Sequence, residues 1–234
     1  MPDSLAARLA RVDAQIAEAA LAVDRDPAEL TRIVVTKFHP AQLVTELYRL
    51  GVRDFGENRQ QDLRNKVTHS AELPDARWHF VGQVQTKKAR AVRADAQVVH
   101  SVDRIRLVDA LNNAAEPDTR PLDIQPLDIL IQVNLTDDPA RGGVVPTEVR
   151  ELTEYAAQHD SLRVRGVMAV APLNEPAAAA FERLAGCAQA VREVVPDARW
   201  MSAGMSTDFA EAIFVGATHL RIGTAITGPR PFHG

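Results

Sequence analysis

The sequence predicts a closed parallel (β/α)8 barrel, a TIM barrel, with an additional N-terminal helix. Short β-branched apolar runs alternate with amphipathic segments along nearly the whole chain, and eight such runs occur. The length of 234 residues suits an α/β barrel folded as one unit. The turn after the first run also lacks the Gly-rich pattern that accompanies dinucleotide binding on an open doubly wound sheet. One domain is expected over residues 1–234, with 1–23 as a helix packed on the barrel.

That first helix follows from Ser4, a good N-cap, and from Leu5, Leu9, Val12 and Ile16 at helical spacing. The strand candidates are "RIVVTK" (32–37), "RDFG" (53–56), "WHFVG" (78–82), "VVHSV" (98–102), "DILIQVNL" (128–135), "RVRGVMAV" (163–170), "RWMSA" (199–203) and "HLRIGT" (219–224). Helical patterns lie between them, such as "PAQLVTELYRLG", "TEVRELTEYAAQHD" and "AAAAFERLAGCAQAVREVV". Pro40 is expected to open the first of these and Gly51 to close it; Gly216 should follow the helix in "STDFAEAIFV". The weakest helical patterns follow the second and fourth strands. The proline-rich segment 113–128 reads as a surface excursion.

Composition excludes several function classes. Lys plus Arg is 27 and Asp plus Glu is 31, a net charge of -4, without the basic footprint of a nucleic-acid binder. The run "TKKARAVR" (86–93) reads as a solvated helix face, with Lys88 able to reach a ligand phosphate from the rim. The single cysteine, Cys187, rules out an intramolecular disulfide and fits a reducing compartment. No stretch has the uninterrupted apolar character of a secretory signal or a membrane span, so a cytoplasmic protein is expected. The seven histidines are scattered and no metal-ligand spacing occurs, so no metal is expected. "GTAITG" lacks the GK[ST] ending of a nucleotide-binding P-loop.

Lys37 stands at the end of a core strand, and lysine is rarely buried without a partner. Alone it reads as a solvated residue opening a loop. In a barrel, however, strand C-termini form the active face, and phosphate sites are built from the loops after strands seven and eight. "SAGMSTDFAEA" (202–212) follows strand seven, with Ser202, Gly204 and Ser206 around a turn into a helix; the plainer reading is capping by Ser206. "RIGTAITG" (221–228) follows strand eight, where Gly223 permits close approach and the Thr224 amide can meet an anion. Closure sets strand eight beside strand one, so Lys37 would face a phosphorylated ligand, as a Schiff-base lysine requires. Arg221 would donate to a neutral ring nitrogen, or else serve as a structural ion pair.

In "VVTK", "FGENR" (55–59), "WHFVGQVQTKK" (78–88), "VHSVDR" (99–104), "SAGMSTD" (202–208) and "RIGTAITG" (221–228), the sequence resembles the pyridoxal phosphate homeostasis family, single-domain relatives of the alanine racemase N-terminal barrel. The resemblance implies pyridoxal 5'-phosphate held as a Schiff base on Lys37. It places the phosphate around Ser202, Ser206 and the amides of Gly223 and Thr224, and Arg221 opposite the ring nitrogen. It also implies that Asn58 and Met205 line the pocket, with His79 near the ring; capping or core packing would explain these three equally. The pattern departs from the family at Lys87, Arg141 and Thr227, none of them expected at the aldimine or phosphate contacts.

Racemases of this type need a second base, commonly a tyrosine from a C-terminal β domain. The sequence ends at "PRPFHG", and Tyr48 and Tyr155 fall in predicted helices. Together with a weak electron sink at Arg221, this favours cofactor binding and delivery to apo-enzymes by a monomer over catalysis. The alternatives are a slow amino-acid racemase, an aldolase using Lys37 on a sugar phosphate, or an interaction protein with a vestigial pocket.

Overall fold

A computed structural model of the protein describes residues 3–115 and 125–230. The chain opens with α1 (Leu5–Leu21), whose cap Ser4 accepts the Ala7 amide at 3.1 Å and whose Leu9, Val12, Ile16 and Ala20 are buried. Among the described residues eight strands follow: β1 (Thr31–Val35), β2 (Asp54–Glu57), β3 (Arg77–Phe80), β4 (Val98–Val102), β5 (Leu127–Gln132), β6 (Leu162–Met168), β7 (Trp200–Ser202) and β8 (His219–Ile222). They are parallel and close in sequence order, with Val34 of β1 beside Phe55 of β2 and Ile33 of β1 beside Arg221 of β8. The expected barrel is therefore present.

The connecting helices are α2 (Gln42–Arg49), α3 (Gln60–His69), α4 (Ala89–Asp95), α5 (Ile105–Asn112), α6 (Val149–Ala156), α7 (Ala177–Val194), α8 (Phe209–Phe214) and α9 (Thr224–Thr227). The weak patterns after β2 and β4 are true helices, α3 and α5. α2 begins two residues after Pro40, whose carbonyl accepts the Leu43 amide at 3.2 Å. Gly51 and Gly216 end α2 and α8 as expected, both at positive φ. Of the expected excursion 113–128, residues 116–124 lie outside the described residues, and Leu127 and Asp128 belong to β5. α1 packs on α8 and α9, and Arg8 Nε donates to the Ile226 carbonyl at 2.7 Å.

Side chains alternate along each strand, so the barrel has two interiors. Outward residues such as Val34, Phe55, Val99, Ile129, Val167, Leu220 and Ile222 join the helices in one large apolar cluster. Each fully buried aliphatic or aromatic side chain there contributes roughly 1.5–3 kcal/mol. Inward residues form a smaller apolar group, Val98, Leu130 and Met168 against Trp200. Beside it lie His79, His100, Ser202, His219 and Arg221, all buried. A polar layer inside a barrel needs internal partners for every group.

Several strands end earlier than the periodicity suggests. β1 stops at Val35; the Thr36 amide still bonds to Gly56 at 3.0 Å, and Phe38 then turns the chain at φ 69. β8 stops at Ile222, where Gly223 leaves the extended region at φ -108 and ψ -102. These two breaks face each other across the β1–β8 seam and open the barrel's C-terminal mouth.

Candidate functional site

A cavity of about 480 Å³ opens at that mouth. Lys37, Asn58, Met205, Ser206, Arg221, Gly223 and Thr224 all line it, so the structure gathers seven expected site residues from β8 and the segments that follow β1, β2, β7 and β8. Lys37 is half-buried, and its amine has no hydrogen-bond or ion-pair partner among the described residues.

Asn58 follows β2 and is pinned by Gly82: a Cβ on Gly82 would fall 2.1 Å from the Asn58 carbonyl oxygen. It does not cap α3, whose cap position is Arg59. Instead its Oδ1 is buried without any partner. An orphaned acceptor on a cavity wall is a group that a ligand donor would satisfy.

Arg221 is 5% exposed and makes no ion pair among the described residues, which overturns the structural-ion-pair alternative. Its Nη1 donates to Ser202 Oγ at 2.7 Å and its Nη2 to the Ala169 carbonyl at 2.8 Å. Burial pushes its pKa down to about 10, so it stays charged at neutral pH. Two of its five donors are thus used.

Two expected contacts lie elsewhere. Ser202 does not line the cavity: it is fully buried, with its hydroxyl between Arg221 and His100 Nδ1, the latter at 2.9 Å. Gly204 is also buried off the lining, at φ 88, where a Cβ would lie 2.8 Å from Ala212 Cβ and 2.9 Å from Phe209 Cα. Its glycine is needed to bring α8 close, whatever binds above. Ser206 does not cap α8; Asp208 holds that position and accepts the Met205 amide at 2.6 Å. At α9 the first intrahelical bonds run from Ile226 and Thr227 to Gly223, which leaves the Thr224 and Ala225 amides ahead of the ladder.

Other expectations need correction. Lys88 does not line the cavity, whereas Thr227, which departs from the family pattern, does. In the basic run Lys87, Lys88 and Arg90 are exposed as a solvated face would be, but Arg93 instead donates to the Leu111 and Ser161 carbonyls, at 3.1 and 2.9 Å. His79 is buried below the cavity, bonded to His100 and Asp54. The histidines scattered in sequence are not scattered in space: His79, His100 and His219 share the barrel interior. They form no metal-holding group among the described residues.

Sequence reasoning missed Phe38, His39, Thr207 and Arg230 on the lining. The guanidinium groups of Arg59 and Arg230 lie over the Phe38 ring, 5.2 and 4.4 Å from its centre. Burial, then the charges of Lys66 and Arg8, hold His39 below its usual range. A polar residue inside an apolar strand, as in "VVHSV", was the available signal for His100.

The alanine racemase N-terminal domain profile matches residues 9–231. The pyridoxal phosphate homeostasis protein of Pseudomonas aeruginosa is 39% identical over 98% of this chain and 97% of its own length. Its Escherichia coli K12 counterpart is 35% identical over 98% of each. The chain belongs to the pyridoxal phosphate homeostasis protein family. Among solved structures, PipY of Synechococcus elongatus with PLP bound superposes at a TM-score of 0.83, with 32% identity over 96% of this chain and 100% of that one. Corynebacterium glutamicum alanine racemase shares the fold at a TM-score of 0.69 and 12% identity; this chain covers 62% of it. In this homeostasis-family barrel Lys37, Arg221 and the loops after β7 and β8 surround one cavity.

Proposed function

We propose that this chain binds pyridoxal 5'-phosphate covalently through Lys37, as a Schiff base, and holds it for delivery to apo-enzymes rather than for turnover. The observation that carries this reading is the free Lys37 amine opening into the same cavity as Arg221 and the loops after β7 and β8. When bound, the cofactor supplies an aldehyde that reacts with amines and a ring that accepts electrons.

The chain's own residues fit that group. Ser206 and the leading amides of α9 would hold the phosphate, with Ser202 acting indirectly through Arg221. Arg221 would give a spare N–H to the ring nitrogen without protonating it. Asn58 Oδ1 would gain the partner it lacks. Met205 and Val170 supply apolar wall.

The lining as described carries His39 and no tyrosine hydroxyl. Tyr155 donates to Asp109 at 2.6 Å and Tyr48 stacks beneath Arg53, both on the outer helices. This supports binding over racemisation, and we read the chain as acting as a cytoplasmic monomer. Among the described residues no helix is long and apolar enough to cross a membrane.

Borohydride reduction followed by peptide mass spectrometry tests the reading. A pyridoxyl adduct on Lys37, and a visible absorption band missing from Lys37→Ala, are expected. An adduct on another amine, or protein that takes up no added cofactor, would overturn it. Racemisation faster than free cofactor would transfer the assignment to the enzyme alternative.

A further inference from the structure

A continuous hydrogen-bonded chain crosses the barrel interior from the cavity to the opposite mouth. It runs from Arg221 Nη1 to Ser202 Oγ (2.7 Å), then to His100 Nδ1 (2.9 Å). From His100 Nε2 it continues to His79 Nδ1 (2.9 Å), and from His79 Nε2 to Asp54 Oδ1 (2.9 Å). The five residues come from β8, β7, β4, β3 and β2. The link from His100 to Ser202 spans the lumen, so only barrel closure completes the chain.

The donors and acceptors admit one direction. Arg221 can only donate, so Ser202 accepts from it and turns its single proton toward His100. His100 then accepts at Nδ1 and carries its proton on Nε2. It donates to Nδ1 of His79, which in turn carries its own proton on Nε2 and donates to the Asp54 carboxylate. In the reverse direction Ser202 would accept from both His100 and Arg221, and its own proton would have no acceptor along the chain. Asp54 would also have to be protonated, yet the bond from His79 and the charge of Arg77 hold its carboxyl below its usual range despite burial. Burial lowers both histidines, so two neutral rings join one cation to one anion.

We propose that Asp54, at the far mouth of the barrel, is a positioning residue for the cavity: it fixes the hydrogen polarity of the chain and thereby the orientation in which Arg221 presents its spare donors. The role rests on the proposed function, because the ligand that benefits has a ring nitrogen able to accept. Asp54 is the chain's outlet to solvent, with its side chain 25% exposed, so substituting it opens no cavity below Arg221.

Nitrogen NMR of histidine-labelled, cofactor-free protein tests the polarity directly. His79 and His100 should both be neutral with the proton on Nε2, and either ring protonated on Nδ1 alone would overturn the proposal. Asp54→Asn offers an amide that can donate as well as accept, as when a buried aspartate orienting a histidine is replaced. Mixed tautomers are expected, with affinity for pyridoxal phosphate weaker by roughly tenfold. In a Ser202→Ala background, where the chain is already cut, the same substitution should add little. Wild-type tautomers and affinity in Asp54→Asn would overturn the role. Should that variant not fold, the wild-type tautomers decide alone. Should the wild type bind no pyridoxal phosphate, the proposed function fails while the tautomers still report on the chain.

Discussion

Lys66 reaches from α3 to the carbonyl oxygen of Thr36, at 2.7 Å, and so grips the peptide immediately before Lys37. The same amine pairs with Glu57, and Thr36 Oγ1 donates to that carboxylate at 2.6 Å. All three residues are buried. Lys37 is thus set by a second lysine whose own charge is cancelled inside the wall of the barrel.

Lys66→Met should therefore destabilise the protein by about 3–5 kcal/mol, because Glu57 is left buried and unpaired. Burial already pushes the Glu57 carboxyl up against the opposing effect of Lys66. Without Lys66 it can take a proton, so the deficit should narrow toward acid pH. Urea unfolding at two pH values checks both; a loss under about 1 kcal/mol, the scale of a surface ion pair, would contradict the buried-pair account.

Gly204→Ala should lower stability by about 2 kcal/mol or more, since φ 88 is strained for alanine and the new Cβ meets Phe209 and Ala212. Gly216→Ala has a positive φ but no atom within 4 Å, and should cost less. Equal losses in thermal unfolding would remove packing against α8 as the cause.

Asn58→Ala separates binding from folding. It deletes a buried acceptor that has no partner, so stability should change by no more than about 0.5 kcal/mol or rise. Pyridoxal phosphate binding should weaken at the same time. A large stability loss with unchanged binding would assign Asn58 to the scaffold.

Acid should weaken the fold through His219. Burial pushes its imidazole from 6.5 down to about 3. Between those values the unfolded chain takes up a proton that the barrel refuses, so stability is complete above the upper value and falls as pH drops toward the lower one. At about pH 5 the loss from this group is about 2 kcal/mol. His79 and His100 act in the same direction. Calorimetry across this range should show a slope that His219→Leu reduces; a flat wild-type profile would show that the ring is not buried neutral.

The barrel was legible because each of its parts is local: β-branched runs, amphipathic stretches and a strand length that the periodicity reveals to within a few residues. Lys37, Ser206, Gly223 and Thr224 were legible for a related reason, since the C-terminal ends of strands share one face in any such barrel. Arg221 was recognised by its place on β8, although its partners were not. Ser202 and Gly204 show where motif reading stops. Both lie in a motif beside the cavity, but one supports Arg221 from below and the other makes room for α8.

Local pattern was enough to establish a βα barrel with a lysine at the rim. Closure decided which inward side chains meet: Asp54, His79, His100, Ser202 and Arg221 span 168 positions in sequence, yet each is within hydrogen-bond distance of the next. Hydrogen bonding acts over about 3 Å whatever the separation along the chain. A buried polar group finds its partner only after the strands have been brought around it.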